Sequence, residues 1–405
     1  MSIFYLIFIM LTAYFSFRYD GIEEYDSHKQ HRLWLMCFYL ICLSGFSYGL
    51  GGDKFAYLEY FEEYPTSFSE TSNFIWLEFM KYGHMPLWTL ANLFAKVVFH
   101  SFYAVQFIES TIVNVAVCYV VSKYTHRYFM FLLAYFVTLQ FFIFNTEVMR
   151  EGCSMAIMLV GMHGWLNGRK WLYILCFPLA LLFHISAVAA LLFPLSRIIR
   201  VTRNTLFYAL IVSFLIWLLS DLILSRVMYS VLGGQGAMVT KVLTYSIMAN
   251  NIFGFARSVI TYLIFPFIIM FTVIQDEADD ERRKIKERML AYTVIMGVIV
   301  SSFTGLIRLY NYTRIFYLIM LADFVYTLFQ QKKHLIIRCV TLLGTVFLIA
   351  LQYMIPYKTT NTRYYDYFYP YTCILNEDRS VYFREIAHDE AVLEEAKDDN
   401  VRDIK

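Results

Sequence analysis

The stretch WLYILCFPLALLFHISAVAALLFPLS, residues 171–196, runs for 26 residues without a single Asp, Glu, Lys or Arg. A helix needs about 20 apolar residues to cross the roughly 30 Å hydrocarbon core of a bilayer. A chain in lipid must satisfy its own backbone hydrogen bonds, and this requirement makes such a stretch helical. We therefore predict that the stretch lies in a membrane.

Comparable apolar runs recur along the whole chain. Hydrophobic residues make up 59% of the sequence and charged residues only 16%, whereas soluble domains carry about 25% charged residues. The pattern predicts an all-α, polytopic transmembrane bundle of about 11–12 membrane segments. The predicted runs are 1–17, 33–51, 102–122, 128–145, 149–166, 171–195, 205–225, 256–274, 289–307, 313–330 and 335–355.

Polar stretches divide the chain. We predict one integral membrane domain, 1–371, with two long loops at 52–100 and 226–255, and a polar, flexible tail at 372–405. The first apolar run, 1–17, carries no basic residues at its start, which favours a first span over a cleaved signal peptide. The net charge of +2 indicates no nucleic-acid partner.

Basic loops set the predicted orientation. The loop 276–288 carries five basic residues and should be cytoplasmic. A single crossing by 171–195 would place the basic loops on its two sides in opposite compartments. A re-entrant hairpin broken near Pro178 and His184 would place both basic loops on the cytoplasmic side of the membrane. One tilted span remains the alternative. With the hairpin, both long loops and both termini are external.

Asp53 is the first candidate for chemistry. It follows the turn Gly49-Leu50-Gly51-Gly52 at the predicted outer end of the second run, with Tyr57 four residues further on. Glycines allow a tight turn that presents the carboxylate at the interface. The carboxylate would act as a base or accept hydrogen bonds from sugar hydroxyls. A solvated Asp at the end of a helix is the competing interpretation.

Three arginines are predicted on the outer side, where the charge bias disfavours them: Arg150, Arg308 and Arg314. Guanidinium groups bind phosphates bidentately, and together these three would make a cationic pocket suited to a diphosphate, with Tyr310 in support. Two alternatives stay open. Arg150 would pair with Glu147 on one helix face, or the arginines would extend to the lipid headgroups.

His184 and Ser186 lie inside the 171–196 stretch. A histidine in hydrocarbon is costly unless it faces a cavity or a partner. His184 would be an acid, a base or a hydrogen-bond donor to phosphate. A hydrogen bond that closes the hairpin is the alternative. The sequence has no Walker loop, G-x-S-x-G or HExxH motif, and no clear Asp-x-Asp pair that would hold a metal.

These segments, in this order, resemble the EpsG family of Wzy-like bacterial exopolysaccharide and O-antigen polymerases. The phrase F-H-x-S-A is the most specific of them, and the resemblance covers nearly the whole chain. The matching segments are Gly51-Gly52-Asp53 with Tyr57, Arg150-Glu151-Gly152, Phe183-His184-Ile185-Ser186-Ala187, Arg308 with Tyr310, Arg314, Phe316 and Tyr317, and Tyr369-Pro370-Tyr371.

The resemblance implies a glycosyltransferase at the outer face of the bacterial cytoplasmic membrane. Such polymerases transfer a growing glycan from polyprenyl diphosphate to a lipid-linked repeat unit. Arg150, Arg308 and Arg314 would bind the diphosphate, and Asp53 or His184 would orient or deprotonate the acceptor. Expected partners are the polyprenyl-diphosphate-linked glycan, the lipid bilayer, a chain-length regulator and a flippase. An O-antigen ligase, a membrane O-acyltransferase and a lipid-linked glycan flippase are the alternative functions.

Overall fold

The computed structural model describes the conformation of most of the 405 residues. The description covers residues 3–69, 71–220, 222, 252–330, 335–354, 364–375, 383–386 and 389. Most of the predicted external loop 226–255 lies outside these ranges. Only its last four residues are described, and they already belong to a helix that begins at Ile252.

The predicted all-α architecture is confirmed, since helices joined by turns make up the described residues apart from one isolated bridge. In the first half of the chain these helices are α1 (Ile3–Tyr19), α2 (Ser27–Gly45), α3 (Asp53–Glu62), α4 (Thr71–Tyr82), α5 (Pro86–Phe99), α6 (Phe102–Tyr124), α7 (Tyr128–Val137), α8 (Gln140–Glu147), α9 (Met149–Leu166) and α10 (Lys170–Leu181). The later ones are α11 (Arg203–Leu218), α12 (Ile252–Asp276), α13 (Asp280–Ser302), α14 (Asn311–Gln330) and α15 (Leu335–Met354).

Two of these helices, α6 and α12, are long and apolar enough to cross a membrane on their own. The bent pair α7–α8 would make a third, and several further apolar helices have only 10–17 residues. These counts concern the described residues only. The chain is thus a helical membrane bundle, and the total of 11–12 crossings stays a prediction.

The predicted span 128–145 is broken in the structure. The chain bends by 77° between α7 and α8, and Leu139 takes a left-handed φ of 63° at the bend. From Ile143 to Glu147 the helix is wound as a π-helix. Apolar periodicity does not reveal such a break, because every residue on both sides of it is buried or half-buried except Val137. π-Helical turns are frequent at functional sites.

Other boundaries also differ from the predicted ones. The basic segment 276–288 is largely helical, because α13 already begins at Asp280, where the Asp279 side chain caps two backbone amides. The stretch 171–196 breaks after α10 and continues as a 3₁₀ helix, Ile185–Arg197. Two short helical segments are therefore present where the hairpin was predicted, and whether they form a re-entrant pair stays a prediction.

The chain forms two compact units. The first consists of Met1–Ile185 together with Val346–Lys405, and the second of Ser186–Thr345. The core of the first unit includes a cluster of Tyr57, Phe61, Trp88 and Met149 with other apolar side chains. In the second unit, the ring of Phe193 contacts those of Tyr292 and Phe316.

Candidate functional site

The glycine turn before Asp53 packs directly against α8 in the first unit. Gly51 has a φ of +87°, in the left-handed region that favours glycine. A β-carbon at Gly51 would lie 2.8 Å from the carbonyl oxygen of Thr146 and 2.9 Å from its hydroxyl. The turn therefore requires glycine both for its backbone conformation and for its close approach to the π-helical segment.

Glu147 fixes the start of α3. Its Oε1 accepts a hydrogen bond of 2.7 Å from the backbone N–H of Gly52, and its Oε2 accepts one of 3.3 Å from that of Asp53. Tyr57 Oη donates to the backbone carbonyl of Glu147 at 3.4 Å. A carboxylate at a helix N-terminus is stabilised by the unpaired amides and the helix dipole. The Glu147 side chain thus positions the segment that carries Asp53.

Arg150 lies one turn beyond Glu147, near the start of α9. Its guanidinium carbon is 5.5 Å from the centroid of the Tyr57 ring, an arrangement suited to a cation–π interaction. The Nε atom is buried and has no hydrogen-bond partner among the described residues. The described carboxylates form no ion pair with Arg150, so the predicted pairing with Glu147 is not observed.

One hydrophobic cluster brings the predicted segments of the first unit together. Tyr57 from α3 and Met149 from the start of α9 belong to it, and Phe183 packs against it. Phe183 directly precedes His184, whose backbone N–H donates to the carbonyl of Ala180 at the end of α10. The segments that carry Asp53, Arg150 and His184 therefore converge on the same apolar core, although they are distant in sequence.

The second unit holds the remaining predicted residues. The guanidinium of Arg314, near the start of α14, lies 5.8 Å from the Tyr262 ring and 5.5 Å from the Tyr310 ring. Arg314 Nε, like Arg150 Nε, is buried and has no partner among the described residues. Arg308 is exposed in the 3₁₀ helix Thr304–Tyr310.

Ser186 and Tyr310 are both buried in this unit and contact other side chains. The Ser186 hydroxyl lies 3.1 Å from the Tyr312 hydroxyl and is buried. Tyr310 is also buried, and its ring meets that of Tyr262 edge to face at 4.9 Å. Tyr310 thus supports the Arg314 guanidinium, whereas Ser186 anchors the 3₁₀ segment to α14.

The sequence analysis missed several buried charged residues, two of which, Lys54 and Glu109, belong to the first unit and interact with each other. Lys54, next to Asp53, donates a hydrogen bond of 2.8 Å to the Ser47 hydroxyl. Glu109 lies on α6 with both carboxylate oxygens buried and without hydrogen-bond partners in the described ranges. A carboxylate within the apolar run 102–122 was the available signal, because ionisable residues inside spans are expensive and usually functional.

Burial lowers the pKa of Lys54 from 10.5 to about 7. The Glu109 carboxylate counteracts this shift, and the Arg384 guanidinium adds to it. The protonated and neutral forms of the Lys54 side chain are therefore about equally populated at neutral pH. A side chain with such a pKa is able to exchange a proton near pH 7.

Residues of the predicted tail also contact the glycine turn. The buried Arg384 donates to the backbone carbonyls of Gly49 at 3.1 Å, Asp366 at 2.8 Å and Pro370 at 2.7 Å. Cys373 forms an isolated antiparallel bridge with Ser47. The folded contacts therefore extend beyond residue 371, and the flexibility of the rest of the tail stays a prediction.

A profile of the EpsG family matches residues 32–373. The chain belongs to the EpsG family. The match contains every predicted site residue from Asp53 to Arg314, and it ends before Arg384. Comparison with curated proteins and with solved structures gave no significant match. Family membership, together with the apolar helices, makes the chain an exopolysaccharide-related membrane protein.

The close approach of the glycine turn to α8 can be measured with Gly51→Ala. The new methyl group would meet the Thr146 carbonyl, so we expect a loss of about 1–3 kcal/mol from overpacking in addition to about 1 kcal/mol for the positive φ. Gly83→Ala is the matched control, since Gly83 has a φ of +67° and a β-carbon there would meet no atom within 4 Å. Equal melting temperatures for the two purified variants would contradict the packing described.

The pKa of Lys54 predicts a pH-dependent stability. Between pH 7 and 10.5 the unfolded lysine binds a proton that the folded lysine lacks, so stability rises with pH in this window by up to about 1.4 kcal/mol per pH unit. Lys54→Met removes this contribution. The melting temperature of the wild type minus that of Lys54→Met should therefore increase from pH 7 to pH 9, and a constant difference would refute the lowered pKa.

Proposed function

We propose that this EpsG-family protein is a polysaccharide polymerase. It transfers a growing glycan from polyprenyl diphosphate to a lipid-linked repeat unit during capsule, exopolysaccharide or O-antigen synthesis. The observation that carries the proposal is the state of Arg150, a half-buried guanidinium that lies beside a tyrosine ring and forms no ion pair with the described carboxylates. Such a group is suited to a polyanionic ligand.

The diphosphate is the leaving group in this reaction. The bond between the anomeric carbon and the diphosphate oxygen breaks, and a bond from that carbon to the acceptor hydroxyl oxygen forms. Negative charge increases on the departing diphosphate. Arginines that contact it stabilise this charge in the transition state, an electrostatic contribution typically worth a factor of about 10²–10³ in rate for a single donor. We assign this role to Arg150 and, in the second unit, to Arg308 and Arg314.

The acceptor hydroxyl loses its proton as the new bond forms. Asp53 is our first candidate for the base, and His184 is the second. Asp53 occupies the first turn of α3, where the helix dipole favours a charged carboxylate, and its backbone is held by Glu147. This backbone contact fixes the position from which the carboxylate would act as the base.

The reaction requires no nucleotide sugar, metal or cofactor. We place the protein in the bacterial cytoplasmic membrane, with its active site on the external side, where the lipid-linked repeat unit would be presented after translocation. A flippase and a chain-length regulator are the partners that this location implies.

Deletion of the gene tests the proposed reaction directly. A polymerase-deficient strain should accumulate single repeat units on the lipid carrier, because synthesis of the unit continues while its extension stops. The measurement is the glycan length ladder together with mass spectrometry of the extracted lipid-linked intermediates. An unchanged ladder would exclude the polymerase function. Full-length glycan that stays on the carrier would indicate a ligase.

Substitution of the arginines tests their proposed role. Arg150→Ala and Arg314→Ala should each lower kcat by about 10²–10³-fold, and Arg308→Ala should also shorten the glycan ladder. Arg150→Lys should recover only part of the rate, because lysine lacks the bidentate geometry. Arg282→Ala is the control, since Arg282 is exposed in the basic segment of α13. Wild-type turnover in Arg150→Ala, Arg308→Ala and Arg314→Ala would exclude the assignment.

A further inference from the structure

We propose that an apolar groove between α6 and α9 holds the isoprenoid chain of the lipid carrier. The groove lies about two helical turns along α9 from Arg150. The inference rests on the proposed function, because it identifies the lipid part of the same substrate. The cavity has a volume of about 400 Å³, within the roughly 300–1,000 Å³ range of ligand pockets. Its lining includes Ile112, Val115 and Tyr119 of α6 and Ala156, Ile157 and Val160 of α9.

The groove and Arg150 lie along one stripe of α9. Residues 151–156 and 158–159 are buried, whereas Arg150, Ile157 and Val160 are half-buried. Ile157 follows Arg150 by seven residues, which corresponds to two helical turns and a distance of about 10 Å along the axis. A diphosphate bound at Arg150 would therefore place its attached chain at the end of the groove that is nearer to Arg150.

The lining has the chemistry of a hydrocarbon site. It contains almost no polar surface, and α9 contributes to it the small residue Ala156 and the branched residues Ile157 and Val160. Lipid tails are as apolar as these residues, so hydrophobic transfer contributes little to binding inside a bilayer. Selectivity must instead come from shape and from the anchored head group. An isoprenoid diphosphate satisfies both conditions, because its methyl branches match a groove of branched residues and its anion matches Arg150.

Photolabelling of the purified full-length protein in phosphatidylcholine nanodiscs tests this assignment. The probe is a polyprenyl diphosphate with a photoreactive group in the first isoprene units. We expect labelled peptides from 111–119 and 156–160, and we expect unlabelled polyprenyl diphosphate to compete at least ten-fold better than a straight-chain alkyl diphosphate. Equal competition by the alkyl compound, or labelling confined to other helices, would overturn the groove assignment.

Filling the groove provides a second test. Ile157→Trp should weaken binding of the polyprenyl diphosphate at least ten-fold and leave binding of inorganic diphosphate unchanged. The matched control is Ile174→Trp, because Ile174 is 66% exposed on α10 and lies outside the groove. Unchanged binding in Ile157→Trp, measured on a variant with wild-type melting temperature, would also overturn the assignment.

The two proposals fail in different ways. If the wild-type protein binds neither polyprenyl diphosphate nor inorganic diphosphate, the proposed polymerase function loses its substrate and the groove assignment falls with it. If the wild type binds both and Arg150→Ala loses both, while Ile157→Trp binds normally, only the groove assignment is wrong. Loss of polyprenyl binding in Ile157→Trp with retained diphosphate binding supports both.

Discussion

The hydrogen bonds from Gly52 and Asp53 to the Glu147 carboxylate hold the first unit's candidate site in place. They connect two segments that are 94 residues apart, and they require both the bend before α8 and the glycine at position 51. Without the bend, the carboxylate would continue along the direction of α7. Without the glycine, the turn would meet the Thr146 carbonyl. The geometry of Asp53 therefore depends on a distortion in a helix that does not carry it.

The polar face of α6 supports this distortion. Asn114 donates to the side-chain oxygen of Asn145 at 2.7 Å, and Gln106 donates to the backbone carbonyl of Ser44 at 2.6 Å. Polar groups inside a span are costly unless they are satisfied, and such contacts fix one arrangement of the helices. The amides of α6 thereby hold the end of α2 on one side and the π-helical segment on the other.

The sequence predicted the helical class and the bounds of α9 to the residue, because apolar length is a local property. The roles of the candidate site residues, which were chosen for their charge, stay predictions. It did not predict the bend at Leu139 or the partner of Glu147. The i, i+3 spacing suggested Arg150 as that partner, but the carboxylate binds backbone amides that only the tertiary fold brings near. Lys54 was overlooked because a lysine beside a turn usually lies in solvent, and here the fold buries it.

The Arg150 guanidinium pairs with none of the described carboxylates. If its ligand is a lipid-linked diphosphate, this explains why α6 carries both a polar network and one wall of an apolar groove. A half-buried cation without a carboxylate partner weakens the fold unless another anion compensates its charge. A diphosphate would do so only if its lipid chain also had a path between the helices. The α6 helix provides both requirements, since its inward face holds the segment that leads into Arg150 and its outward residues form one wall of the groove. A site that binds a ligand with both a charged and a hydrocarbon part is served by a helix with one polar and one apolar face. In the first unit α6 has this character, and it contacts α9 along the groove.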